Sequence, residues 1–155
     1  MELKASKPKF LKLIKVSNNI LFVENINRET TKKYLEDVFS KYGSLVSCTL
    51  KTTYAFIQYE DFRDLEDALD GKHFQNNTSK YKFPLLFVGN LHRKMTADDL
   101  VEILNQYIEV QSCKLRSRYA LIGCENGSDC KHAFESLNGQ RLDGKKLTVM
   151  IFSQK

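Results

Sequence analysis

The hexamer LFVENI at 21–26 returns as LFVGNL at 86–91, sixty-five residues later. SCTLK at 47–51 returns as SCKLR at 112–116, Tyr54-Ala55 as Tyr119-Ala120, and Ala68 as Ala133, all in the same register. A chain that keeps one offset across separated matches is built from two copies of one unit. That halves the problem, because each copy has only about 65–70 residues in which to bury a core.

Both copies follow the same pattern. An apolar run (20–26; 85–91) reads as a buried strand. A helix follows, with Thr31 or Thr96 as N-cap and apolar residues four, seven and eight positions on: Leu35, Val38 and Phe39; Leu100, Ile103 and Leu104. Tyr42-Gly43 is expected to end the first of these in left-handed C′ fashion. Strands are expected at 45–51 and 53–59, then at 110–116 and 118–124. A second helix is expected near 62–70 and 129–137, and a last strand at 79–83 and 147–152. The fold class is α+β, two ferredoxin-like β-α-β-β-α-β units in tandem. Each is a four-stranded antiparallel sheet with two helices on one face, which leaves the other face open. The expected boundaries are a basic N-terminal extension at 1–17, a first domain at 18–83 and a second at 84–155. Only Pro84 and its neighbours separate the last strand of one from the first strand of the next, so the two sheets are expected to hold a fixed relative pose.

Strand alternation then sorts the side chains. In TTYAFIQY at 52–59, Ala55, Ile57 and Tyr59 face the helices, while Tyr54, Phe56 and Gln58 face away. In LFVENI, Leu21 and Val23 point inward and Phe22 joins the outward set. Cys48 and Cys113 alternate inward with Leu50 and Leu115. Three rings on an uncovered face call for a partner. They stack on something planar, or they are capped by the chain's own tail or by another protein.

Charge is graded along the chain. The net charge is +5 overall, +4 over 1–16, −1 over 17–83 and +2 over 84–155. This suits a polyanion without requiring one. Lys51, Lys114, Arg116 and Arg118 frame the open faces and are either phosphate contacts or an ordinary solvated edge. Asp61, Asp64, Glu66, Asp67 and Asp70 form a solvated helix face, or a dock for a basic partner. KFLKLIKV at 9–16 reads as an element packed on the first unit, a basic arm or the end of a preceding domain, with packing favoured.

Other classes of function are weakly supported. The four cysteines contain no C-x-x-C pair, and Cys124, Cys130 and His132 lack a fourth ligand at zinc-like spacing, so no metal is expected. No nucleophile–base pair, paired acids or phosphate-cradling glycine loop is present, so neither an enzyme, a cofactor nor a small-molecule substrate is expected. The opening MELKASKPKF lacks the apolar core of a signal peptide, and no run is long enough to span a membrane.

The two hexamers and TTYAFIQY, in this order and spacing, resemble the RNP2 and RNP1 motifs of RNA recognition motif (RRM) domains, over about residues 18–153. The resemblance implies single-stranded RNA lying across each sheet with bases stacked on its aromatics. Carried over, it implies RNA-binding roles for Phe22, Tyr54, Phe56, Lys51 and Gln58 in the first copy. In the second it implies Phe87, Tyr119, Leu121, Lys114, Arg116 and Arg118, with Leu121 replacing an aromatic. Thr52 and Ser117 stand where the family usually has Lys or Arg. YEDFRDLEDAL at 59–69 resembles SR-type splicing proteins, and FSKYG followed by YAFIQY is similar to heterogeneous nuclear ribonucleoprotein C. These implied relationships suggest nuclear pre-mRNA or mRNA work, alongside other mRNP or spliceosomal proteins, with cytoplasmic presence compatible. The rival reading is a peptide-binding module of the U2AF-homology type, whose Arg-x-Phe signature is approached by Lys72-His73-Phe74.

Overall fold

The computed structural model describes residues 11–70, 75–76 and 83–152, in two compact units that divide between Lys80 and Tyr81. The first contains β1 (Lys12–Ser17), β2 (Ile20–Glu24), α1 (Lys32–Phe39), β3 (Leu45–Leu50), β4 (Ala55–Tyr59), α2 (Phe62–Asp70) and β5 (Gln75–Asn76). The second contains β6 (Leu85–Gly89), α3 (Ala97–Leu104), β7 (Val110–Leu115), β8 (Tyr119–Cys124) and α4 (Gly127–Leu137). A hairpin of β9 (Arg141–Leu142) and β10 (Lys145–Lys146) and a final β11 (Thr148–Phe152) complete it.

The helices start where capping chemistry allows. Thr31 accepts from the Tyr34 amide, and Thr96 forms a reciprocal capping box with Asp99. α4 begins slightly earlier than its apolar pattern suggests, because the Asn126 side chain caps it by accepting from the Asp129 amide. The opening strands stop two residues short of expectation in both units. Asn25 and Asn90 each adopt a left-handed backbone (φ 63°), which asparagine tolerates better than most residues and which ends the strand. Gly43 also departs from expectation. Its φ of 158° is positive but beyond the left-handed helical region, and α1 ends at Phe39 with Ser40 as its C-cap. Glycine is needed there because a Cβ would run into the Asp64 side chain.

The second sheet has the strand order β11-β6-β8-β7, all antiparallel. The first has the order β3-β4-β2-β1-β5, in which β1 lies antiparallel to β2 and only the two-residue β5 is parallel. The strand beside β2, in the place that β11 holds beside β6, is therefore residues 12–17 from the N-terminal side. The expected last strand at 79–83 lies outside the described residues except for Phe83, which is in no strand. The 71–74 segment likewise lies outside them.

KFLKLIKV is apolar on both faces because both faces of β1 are used. Leu11 and Leu13 enter the core under α1 and α2, with Leu21, Val23, Ala55, Ile57 and Tyr59, while Ile14 is buried opposite Phe22 on the far face. Lys15 reaches from the helix side of the sheet to Glu66 on α2, 2.7 Å away, so the acidic face of that helix is in part paired from within. The core of the second unit is equivalent, with Leu86, Val88, Ala120, Ile122 and Val149 against Leu100, Leu104, Ala133 and Leu137. The same β-bulge interrupts both edge pairings, at Leu45/Ser47 and at Val110/Ser112.

Two outcomes follow for stability. Leu13→Ala removes a fully buried side chain from β1 and is expected to cost the first unit about 2–5 kcal/mol. In denaturant unfolding, the transition of the first unit should move while that of the second stays. The Cys48 thiol is pushed up to about 11, first by burial and then by Glu36. It ionises from about pH 9 when unfolded, so the native state holds the proton more tightly. Its contribution is complete below pH 9 and is lost as pH rises towards 11. The denaturation midpoint should fall across that window, and by less in Cys48→Ala.

Candidate nucleic-acid interface

β2 and β4 are central neighbours, and their register sets Phe22 directly opposite Phe56, with Val23 opposite Ala55. Since facing residues point to the same side, Phe22 and Phe56 share the face away from the helices, and Tyr54 joins them two residues before Phe56. The ring centroids lie 5.2 Å apart for Phe22–Phe56, 5.6 Å for Phe22–Tyr54 and 6.1 Å for Tyr54–Phe56, a mutually packed triangle. Gln58 continues the row, half-buried, with Ser47 Oγ donating to its Oε1 at 3.4 Å. Lys51 is exposed at the adjoining turn. Burial raises the Tyr54 hydroxyl above its usual range, so it stays protonated at neutral pH.

The second unit repeats the arrangement with one exchange. Phe87 faces Leu121, and Gly89 faces Tyr119. The Phe87 ring stacks on Tyr119 at 5.6 Å and on Phe152 of β11 at 5.9 Å, nearly parallel to the latter. It bends over Gly89, where a Cβ would come within 2.6 Å of it. Phe152 is a third ring that the repeat pattern did not reveal, since it lies on the last strand outside both hexamer and octamer. Lys114, Arg116 and Arg118 are exposed on β7 and the turn that follows.

The faces are as expected, but their exposure is not. The rings were expected in water. Phe22 is 0% exposed, Phe87 and Leu121 1% and Tyr119 3%, whereas Tyr54 and Phe56 keep intermediate exposure. Part of the reason is local. Ile14 from β1 flanks Phe22, and Phe152 and Tyr119 enclose Phe87. Each of these rings also has further interactions besides these contacts. Glu24, beside Phe22, is buried as well, opposite Lys12.

The remaining chemical groups do not converge. Cys124 and Cys130 lie buried in the second core with their thiols hydrogen-bonded to each other, which together with burial pushes the Cys124 thiol up. His132 turns away, its ring edge-on to Tyr107 at 6.1 Å. Among the described residues no three His, Cys, Asp or Glu side chains are grouped to hold a metal, and no helix is long and apolar enough to cross a membrane.

Several known proteins are similar to this chain in sequence. Human RNA-binding protein 4B is 28% identical over 142 residues, covering 84% of this chain and 40% of that protein. The RNA-binding protein lark of Drosophila melanogaster is 27% identical over 148 residues, covering 84% and 41%. The chain thus spans about two-fifths of the length of these relatives. Among solved structures, an Sxl-lethal protein/RNA complex covers 87% of this chain at 21% identity, with a TM-score of 0.42. The sequence pattern of the RNA recognition motif matches residues 21–80 and 86–148, one match in each unit. The strand that completes the first sheet, β1, precedes the first match. On these two matches, the chain belongs to the RNA recognition motif family, with its motifs in tandem.

Proposed function

We propose that this chain is a non-enzymatic binder of single-stranded RNA. The observation that carries the reading is the ring triangle of the first unit, where Tyr54 and Phe56 are partly exposed on the sheet face away from the helices. A base has two π-faces, and stacking on such rings is worth about 1–3 kcal/mol per base. Phe22 sits behind both rings and holds them; Gln58 offers an amide to a base edge, and Lys51 a charge to phosphate. In the second unit Phe87, Tyr119 and Leu121 stack or pack on bases only once that face is uncovered, while Lys114, Arg116 and Arg118 meet phosphate from its edge. The relatives named as RNA-binding proteins, and the polyadenylate-binding protein 2 of Arabidopsis thaliana at 25% identity, support the same ligand class. Our reading sets this binding in mRNA processing or mRNP assembly, in the nucleus and with mRNP proteins as partners.

Titration of a fluorescent single-stranded RNA into wild type and the double variant Tyr54→Ala, Phe56→Ala tests this. The variant is expected to lose about 1–3 kcal/mol for each base it no longer stacks. Its melting curve should change little, because neither ring belongs to the helix-side core. Equal affinity in a folded double variant removes the first unit as a stacking platform.

A further inference from the structure

Two Asn-Gly dipeptides stand at the two ends of α4, Asn126-Gly127 and Asn138-Gly139. Asparagine followed by glycine is the pairing most prone to lose its side-chain amide in water. The glycine nitrogen attacks the asparagine Cγ, and a residue without a Cβ hinders that approach least. By sequence the two dipeptides are equal, and all four residues are exposed. Hydrogen bonding makes them different.

At the C-terminal end of α4 both reacting groups are tied down. The Gly139 amide donates to the Leu147 carbonyl at 3.0 Å, and Asn138 Oδ1 accepts from the Val149 amide of β11, also at 3.0 Å. Attack there requires Gly139 to give up its own bond and the Asn138 side chain to leave the strand it holds. At the N-terminal end the nucleophile is free. Gly127 is the first residue of the helix, so its amide has no carbonyl to reach within the helix, and among the described residues it makes no hydrogen bond. A Cβ at Gly127 would meet nothing within 4 Å, so this peptide has room to turn towards the side chain. Asn126 Oδ1 accepts from the Asp129 amide at 2.9 Å. That donor is aimed at the oxygen on which negative charge develops as Cγ is attacked. The bond that caps the helix therefore also activates the amide. By contrast, Asn25, Asn90 and Asn105 precede Ile26, Leu91 and Gln106, which are bulkier and whose amides are each hydrogen-bonded.

We propose that Asn126 is a site of spontaneous deamidation in the folded protein, and that Asn138 is shielded from the same reaction. The Gly127 nitrogen gives up its proton and bonds to Cγ of Asn126. The Cγ–Nδ2 bond breaks, and the amide nitrogen leaves as ammonia with that proton. Water then opens the five-membered succinimide. Cleavage between Cγ and the Gly127 nitrogen leaves aspartate; cleavage at the original main-chain carbonyl leaves isoaspartate. One water enters and one ammonia leaves. The two products act differently on α4. Aspartate still accepts from the Asp129 amide and is as good an N-cap as asparagine. Isoaspartate routes the main chain through the former side chain and lengthens it by a methylene. It displaces both the capping oxygen and the Asn126 carbonyl that accepts from the Cys130 amide at 3.3 Å, so the turn that buries Cys130 loses its start.

The test incubates the whole chain at physiological temperature in mildly alkaline buffer, with a parallel sample in denaturant. Peptides are read by mass spectrometry with electron-transfer fragmentation, which separates aspartate from isoaspartate. In denaturant, Asn126 and Asn138 should convert at similar rates. In the folded chain, conversion at Asn126 should persist while that at Asn138 falls many-fold. Gly127→Ala should slow conversion at Asn126 many-fold. The aged chain should melt at a lower temperature than Asn126→Asp, which should melt at or above the wild-type temperature. If Asn126 in the folded chain converts no faster than Asn138, the proposal falls. It also falls if Asn138 converts as fast folded as in denaturant. Unchanged conversion in Gly127→Ala overturns attack by that amide, and equal melting of the aged chain and Asn126→Asp overturns the loss of the cap.

Discussion

The antiparallel pairing of the central strands, β2 with β4 and β6 with β8, determines which side chains each sheet can offer. Side chains alternate along a strand, so a slip of one residue would send Ala55 and Ile57 to the far face and push Phe56 beneath the helices. Several features hold the register. Phe22 faces Phe56, and Phe87 faces Leu121. A left-handed asparagine ends each opening strand, and the amide that follows it binds across to the next turn, Ile26 to Thr53 and Leu91 to Arg118. Each edge pairing carries a bulge at the corresponding place, which adds local twist.

Beyond this shared centre the units meet one requirement by different means. The free edge of β2 or β6 presents unpaired amides and carbonyls and a row of apolar side chains, and another strand must cover both. In the second unit β11 does so from the C-terminal side; in the first β1 does so from the N-terminal side. Leu13 then stands opposite Val23 as Val149 stands opposite Val88, each facing the helices. The far faces differ in consequence. β11 contributes a third ring, Phe152, whereas β1 contributes Ile14 and leaves the ring triangle to Phe22, Tyr54 and Phe56.

The proposed division of labour follows from these differences. Stacking is short-ranged and needs an accessible ring, which the first unit retains at Tyr54 and Phe56. Attraction to phosphate acts over roughly a Debye length, about 8–10 Å at ordinary salt, and needs only exposed charge. The second unit, with its rings enclosed, keeps Lys114, Arg116 and Arg118 exposed on β7 and the turn that follows.

The sequence by itself determined the duplication, the order of the strands and helices common to both copies, and the face of most of their side chains. Those properties are local: a period of two sorts Tyr54 from Ala55, and a capping threonine followed by spaced leucines marks where α1 and α3 begin. It also determined the family, through motifs confined to a few adjacent residues. Tertiary structure decided which strand completes the first sheet, why Gly43 is glycine, and how far the rings are enclosed. Each depends on partners distant in the chain: β1 on the edge of β2, Gly43 on the Asp64 side chain, Phe87 on Phe152 some sixty-five residues away. The sequence held a trace of the first of these, since KFLKLIKV is apolar on both faces. A short apolar run records that it will be buried; which edge it pairs with is set by hydrogen bonds and packing that exist only once the chain has closed on itself.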